Sequence, residues 1–483
     1  MRPIAQGFLE TAMRPFPLRL FVLAFIFASS FALGQSPVPL PGKFDVEAID
    51  AYVADVVQRK GLTGLALAVV RDGKIVMTRA YGKRSLETGA AVEPETPFAI
   101  GSVTKQVVCA AVLLLAEDGK LSINDKVSKY FPDLTRAGDI TLYQLMTHTS
   151  GYPDFYPLDF VDRRMLKPIA VDSLIKEYAG GKLDFEPGSR WSYSNTGYMI
   201  LGRVVEKVSG EPFGKFLRKR ILTPAGMEHA AFEPTGADSA RASGYLPFAL
   251  GSPEPAKPEA EGWLYTAGGL WASAPDVARW DIALMEGRVL NPESMKIMTS
   301  PVPLSGGRVK DYGCGLSVRR DGGALILSHG GAVSGFRATN ILIPMTKSAV
   351  VVLINDEQSD PAIAEAIVGL IMKAETPVEL PKVAGPSAKE AALDFFHQMQ
   401  AGELDRSKLG EEFSVYLTDE KVKSAAPRLK ELGEPSKVEA LSTYERGGME
   451  VSSMRLTFKS AVLKGLMYRS PDGKIQQLLF EKG

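Results

Sequence analysis

The sequence predicts an α+β protein: an antiparallel sheet flanked by helices, followed by a small separate C-terminal α+β domain. Three observations predict it. Strand-like runs occupy Gly64–Gly82 and recur far downstream in "GCGLSV", "GALILSHGG" and Gly335–Asp356. The stretch between, from Ser102 to about Leu290, reads as helix and loop, so the sheet is expected to draw its strands from both ends of one segment with a helical insert on one side. Finally, the proline-rich stretch Ala374–Ser387 reads as a linker, and a fresh helix start follows it.

Taken in order, Arg14 and Arg19 precede the short apolar run Leu20–Leu33, and small residues lead up to Gln35. This is the pattern of a signal peptide over 1–34, too short for a comfortable membrane span. The rest of the chain is therefore expected to be exported to a bacterial periplasm or beyond, with no integral span after cleavage. No cysteine stands directly after the run, which argues against a lipoprotein. A first domain is expected over 44–373. In it, "GLALAVVRDGKIVMTRAYG" is two β-rich runs around Asp72-Gly73, a hairpin signal. The linker is placed at 374–386 and the last domain at 387–483. There Ser387 and Glu390 form a capping-box pattern, Gly402 closes the helix, and helical segments continue to about Leu432. Strand patterning over Met449–Glu481 includes a Pro471-Asp472-Gly473 turn.

Composition narrows the function. The 483 residues carry 56 Lys+Arg against 56 Asp+Glu, a balance that argues against a nucleic-acid partner. Two cysteines, Cys109 and Cys314, are too few for a disulfide scaffold, and Cys109 within an apolar helix reads as packing. Four histidines without an HExxH or CxxC pattern give no metal signal, and no cofactor is implied.

Three short stretches carry chemistry. In "AIGSVTKQVVCAAVLLLAEDG", Ser102 opens a helix and Lys105 lies three residues on, on the same face. A serine at a helix start sits among free N–H groups at the positive end of the dipole, which favours a nucleophile and an oxyanion. A desolvated lysine loses proton affinity and becomes a general base. Alone, the pair is also readable as an N-cap followed by a surface lysine. Next, Tyr193-Ser194-Asn195 precedes an apolar helix. A tyrosine near an ammonium is expected to ionise more readily and to take a serine proton, and an asparagine can both donate and accept. Alone, Ser194 or Asn195 reads equally as a helix cap and Tyr193 as packing. In "ILSHGGAVSGF" a strand ends in His329-Gly330-Gly331, where glycine lets a substrate backbone approach the strand edge.

Together and in this order the three resemble the motifs of the penicillin-recognising serine hydrolases, and the tyrosine resembles the class C β-lactamases and their relatives, the DD-peptidases, D-aminopeptidases and serine esterases. "LMTHTSGY", "FEPGSRWSYSN" and "AGGLWASAPDVARW" extend the likeness, which covers about Phe44 to Ala374. It implies a β-lactamase/DD-peptidase-like fold and hydrolysis of an amide or ester, the substrate an ester, a D-amino-acid peptide or a β-lactam. Ser102 would be the acylated nucleophile, with Lys105 and Tyr193 sharing the proton work. Asn195 would steady Lys105 and contact substrate. The N–H groups of Ser102 and Ala332 would form the oxyanion hole beside Gly330 and Gly331. His329 departs from the pattern, since many relatives have lysine there. A histidine, mostly neutral at neutral pH, withdraws the cation that attracts a substrate carboxylate. That shifts weight from β-lactams towards esters and D-amino-acid peptides or amides. Arg337 is a candidate replacement charge. His148 in "THTSG" reads as a structural loop residue rather than a partner for Ser102.

Two other readings compete: a sensor of β-lactams or wall peptides that acylates and stalls, and a tail that sets the partner. The tail's helix-then-strand pattern resembles the nuclear-transport-factor-like α+β cone, which hosts pockets and dimer contacts, so dimerisation through the C-terminal domain is one role open to it.

Overall fold

Two strands of the N-terminal segment zip onto four from Ser317 onward to make the central sheet. The computed structural model describes residues 38, 40–158, 160–236, 238–247, 251–321, 323–357, 361–375 and 381–482; the expected signal peptide lies outside them. The strands are β1 (Gly64–Arg71), β2 (Lys74–Gly82), β3 (Ser317–Asp321), β4 (Ala324–Val333), β5 (Phe336–Ile343) and β6 (Ser348–Ile354), in the order β3-β4-β5-β6-β1-β2. Every pairing is antiparallel, and β1 meets β6 from Leu65↔Ile354 to Val70↔Ala349. The β1–β2 turn is the expected one: Asp72 and Gly73 have φ of 49° and 72°, the handedness a two-residue hairpin requires.

Both faces of the sheet are covered, which is why β1 is buried almost throughout. By the two-residue alternation of a strand, Leu65, Leu67 and Val69 face one core with helices α1 (Val46–Lys60) and the later α4 (Pro361–Glu375). Ala66, Ala68 and Val70 face the other, formed with the helical insert. At the centre of the insert lies α2 (Thr104–Glu117). Its residues Thr104 to Leu115 are all buried, the environment that an all-round apolar helix demands. The insert also contains α3 (Asn195–Ser209) and a small sheet of three short strands, Phe98–Ala99, Leu270–Ala272 and Ala231–Phe232.

Two sequence expectations need correction here. "GCGLSV" is strand only from Ser317. Gly315 has φ of +73°, and a Cβ on it would meet the Lys105 carbonyl oxygen at 2.7 Å, so Gly315 brings a loop against α2 instead of extending β3. The stretch read as linker from Ala374 is still helical at Ala374 and Glu375.

The C-terminal sheet-rich domain has its own core. Helices α5 (Ala388–Ala401) and α6 (Asp419–Leu432) supply Phe395, Phe396 and Val422. Facing them are Met454, Leu456 and Met467 from a sheet of β7 (Lys437–Arg446), β8 (Met449–Thr457), β9 (Val462–Arg469) and β10 (Ile475–Leu478). The Ser387–Glu390 capping box and the left-handed Gly402 close α5 as expected. Strand β7 was not legible in the sequence: its register shifts between Ala440 and Ser442, and that irregularity breaks the two-residue alternation. Among the described residues no helix is long and apolar enough to cross a membrane.

Candidate active site

Ser102 sits in a single 3-10 turn, Gly101–Val103, directly before α2. Gly101 has φ of +52°, and a Cβ there would meet the Ala332 backbone nitrogen at 2.7 Å. Glycine therefore lets the serine turn press against the end of β4. That end is an open edge: β3 pairs with β4 only from Ala324 to Ser328, while β5 holds its other side through Val333. His329 to Val333 consequently run past the last rung of β3. Gly331 is equally constrained, because a Cβ on it would lie 2.0 Å from the Ile100 carbonyl oxygen.

Lys105 follows in the first turn of α2 and is completely buried. Its Nζ lies 2.8 Å from Asn195 Oδ1, 2.6 Å from the Ala267 carbonyl oxygen and 3.0 Å from Ser102 Oγ. Burial lowers its pKa from 10.5 to about 7, against the pull of Asp154 and Cys109, which raise it. A neutral amine has two hydrogens and one lone pair. Asn195 Oδ1 and the Ala267 oxygen can only accept, so they take the hydrogens and the lone pair is left for the Ser102 hydroxyl. Holding the Lys105 pKa that far down costs the fold about 4 kcal/mol at pH 7.

Asn195 is the first residue of α3, and Ser194 occupies the N-cap without a side-chain capping bond. The cap is supplied from elsewhere. Asp154 Oδ1 accepts from the Asn195 backbone nitrogen and from Nδ2, both at 3.0 Å, which fixes the amide so that its oxygen faces Lys105. The Tyr193 ring lies 4.9 Å from Lys105 Nζ, and Tyr193 and Ser102 line the same cavity. The Tyr193 hydroxyl departs from expectation. Burial raises its pKa well above the usual phenol value, outweighing the lowering influence of Ser102, so Tyr193 stays protonated.

One cavity of about 610 Å³ is lined by Ser102, Tyr193, Asn195, His329, Gly330, Gly331 and Ala332, with Lys105 beneath it. The residues to which the resemblance gave roles in the reaction thus converge on one place. Burial and Lys105 lower the pKa of His329 to about 4, so it is neutral, as the sequence argument required. Arg337 does reach the cavity, but its guanidinium stands 3.9 Å from Glu357, which lines the same wall. His148 is buried in a structural role, its ring 4.3 Å from that of Tyr193. Asp154, the Ala267 carbonyl and Tyr312 escaped the sequence reading. Asp154 stands just past "LMTHTSGY" and Tyr312 just before "GCG", with nothing local to mark either. Among the described residues no group of three or more His, Cys, Asp or Glu side chains could hold a metal ion.

The family model described as Beta-lactamase matches residues 49–370. The chain belongs to the beta-lactamase family. It is a serine hydrolase of that family. It is 31% identical to the Bacillus subtilis protein named penicillin-binding protein PbpX over 316 residues, 65% of this chain and 75% of that one. It is 29% identical to a D-aminopeptidase of Brucella anthropi over 299 residues, 61% of this chain and 56% of the longer relative. Among solved structures, a D-amino acid amidase from Ochrobactrum anthropi in complex with L-phenylalanine amide is 25% identical, with a TM-score of 0.58 over 68% of this chain and 99% of that one. The octameric penicillin-binding protein homologue from Pyrococcus abyssi, 22% identical, has a TM-score of 0.61 and covers 91% of this chain and 96% of its own. At that identity the likeness is one of fold, and the described C-terminal elements fall largely within its reach.

Proposed function

We propose that this chain is an exported hydrolase that cleaves D-amino-acid amides or peptides, and small esters, through an acyl-enzyme on Ser102. The observation that carries the mechanism is the Lys105 amine, 3.0 Å from Ser102 Oγ, with both its hydrogens committed to Asn195 and Ala267. Its lone pair takes the Ser102 proton as Oγ bonds to the substrate carbonyl carbon. Negative charge on the carbonyl oxygen is met by the backbone N–H groups of Ser102 and Ala332. Tyr193, held as a neutral phenol, donates its proton to the leaving nitrogen or oxygen and is reprotonated from Lys105. Water then hydrolyses the acyl-enzyme by the reverse transfer, and Ser102 recovers its proton.

The substrate class rests on charge and on relatives. His329 offers no cation, Arg337 stands beside Glu357, and Asp154 adds a second carboxylate to the cavity wall. Such a wall favours an amine-bearing substrate over one bearing a carboxylate. Relatives named D-aminopeptidase and D-amino acid amidase agree with this. The test is initial rates on a p-nitrophenyl ester, D-alanine p-nitroanilide, a chromogenic cephalosporin and a peptide ending in D-Ala-D-Ala, each repeated with Ser102→Ala. Turnover of the first two, lost in the variant, is the expected result. Fast cephalosporin turnover would overturn the substrate class. An acyl mass retained on Ser102 without turnover on any of the four would make the protein a sensor.

A further inference from the structure

Beneath the cavity, buried groups form one directed chain of hydrogen bonds. The Ser194 backbone N–H donates to His148 Nδ1 at 3.0 Å. His148 Nε2 lies 3.2 Å from the Tyr312 hydroxyl, which lies 3.0 Å from His329 Nε2. His329 Nδ1 lies 2.6 Å from the Gly330 carbonyl oxygen. The two ends decide every proton between them. A backbone N–H only donates, so His148 Nδ1 is bare and its hydrogen is on Nε2. A carbonyl only accepts, so His329 carries its hydrogen on Nδ1 and its Nε2 is bare. Tyr312 then accepts from His148 and donates to His329. The two rings are neutral and opposite tautomers, and His329 has spent both nitrogens.

We propose that Tyr312 is a positioning residue that locks His329 as the neutral Nδ1–H tautomer, so that the third motif presents neither charge nor N–H to a substrate carboxylate. The effect on selectivity rests on the acyl-enzyme reading above; the lock itself does not.

The surroundings reinforce it. His329 faces Lys105 from α2, the Tyr193 ring at 6.3 Å and the Tyr312 ring at 6.0 Å. Tyr312 in turn faces His148, Trp191, Tyr198, Tyr193 and the thiols of Cys109 and Cys314. No carboxylate is among them; those of Asp154 and Glu357, on the wall of the same cavity, accept from Asn195 and from the Gly335 backbone and not from His329, and Lys105 repels an imidazolium. A proton arriving on Nε2 would also confront the Tyr312 O–H, which would have to turn away from it while still accepting from His148. Protonating His329 therefore means breaking the chain. Burial and Lys105 hold the His329 ring neutral, and Tyr312, donating to Nε2 opposite the Gly330 carbonyl, fixes which nitrogen carries its hydrogen.

The chain has four histidines, so imidazole NMR on the full protein is tractable. His229→Gln and His397→Gln, at half-exposed sites, identify two of the rings and leave the buried pair. In the native protein those two should show one Nδ1–H and one Nε2–H tautomer and not titrate between about pH 5 and 8. In Tyr312→Phe, which removes one oxygen, the His329 pKa should rise by about one unit or more. The ratio of kcat/KM for an acetyl-D-Ala-D-Ala peptide over D-alanine p-nitroanilide should then rise several-fold at mildly acidic pH. His148→Gln keeps the Tyr312–His329 bond and should leave His329 untitrated. Identical tautomers for the two rings would overturn the lock, as would an unchanged His329 in Tyr312→Phe. A titrating His329 without the change in ratio would overturn the selectivity role. If the native protein hydrolyses none of the substrates, the function reading falls while the tautomers still decide the lock. Should Tyr312→Phe not fold, the native tautomer pattern and His148→Gln decide it.

Discussion

Asp154 tunes the base without touching it, and Asp154→Asn isolates that influence. The variant keeps an oxygen able to accept from the Asn195 backbone, so the cap of α3 survives, but the charge is gone. Asp154 is one of the groups that raise the Lys105 pKa against burial. The path between them is two hydrogen bonds, 2.8 Å and 3.0 Å, on either side of the Asn195 amide. That puts the charges about 7 Å apart, worth about 2 kcal/mol at an effective dielectric of about 20. The cavity admits solvent beside Asp154, so about half of that, or roughly one pH unit, is the expected shift. Removing the anion destabilises the ammonium, so Lys105 sheds its proton at lower pH. The assay is kcat/KM against pH from about 5 to 9 on an uncharged p-nitrophenyl ester, whose profile reports the free enzyme. The native acid limb should fall near pH 7, and in the variant near pH 6, with a lower plateau because the Asn195 amide is less firmly held. A limb that stays put or moves upward would show that Lys105 is not the titrating base.

Other outcomes follow from the same geometry. Ser102→Ala should fold normally, lose turnover and show no acyl adduct by mass spectrometry. Tyr193→Phe should lower kcat by about 100-fold or more with little change in melting temperature, because it removes a proton donor and leaves the packing intact. Gly101→Ala forces a side chain into a left-handed turn 2.7 Å from Ala332 N, so kcat should fall by about 10- to 100-fold with a smaller effect on KM. Stability should fall as pH drops through the window from 6.5 to about 4. There the unfolded chain takes up a proton that folded His329 refuses, a loss of about 3 kcal/mol by denaturant titration that His329→Gln should reduce.

The sequence alone determined the parts that local chemistry fixes. The Asp72-Gly73 turn, the all-apolar α2, the capping box at Ser387 and the order of the three motifs are each written in consecutive residues. The packing reading of Cys109 and the structural reading of His148 were legible in the same way. What only the tertiary structure decided are the contacts that join distant segments. Asp154 reaches Asn195 across 41 positions, and the Ala267 carbonyl reaches Lys105 across 162. Tyr312 joins His148 to His329 from a loop that Gly315 lets press against α2. Protonation belongs to the same class. A sequence shows that a lysine and a tyrosine share a site, but burial decides which of them is the base. Here it brings Lys105 down to about 7 and drives Tyr193 upward, because desolvation penalises whichever form is charged.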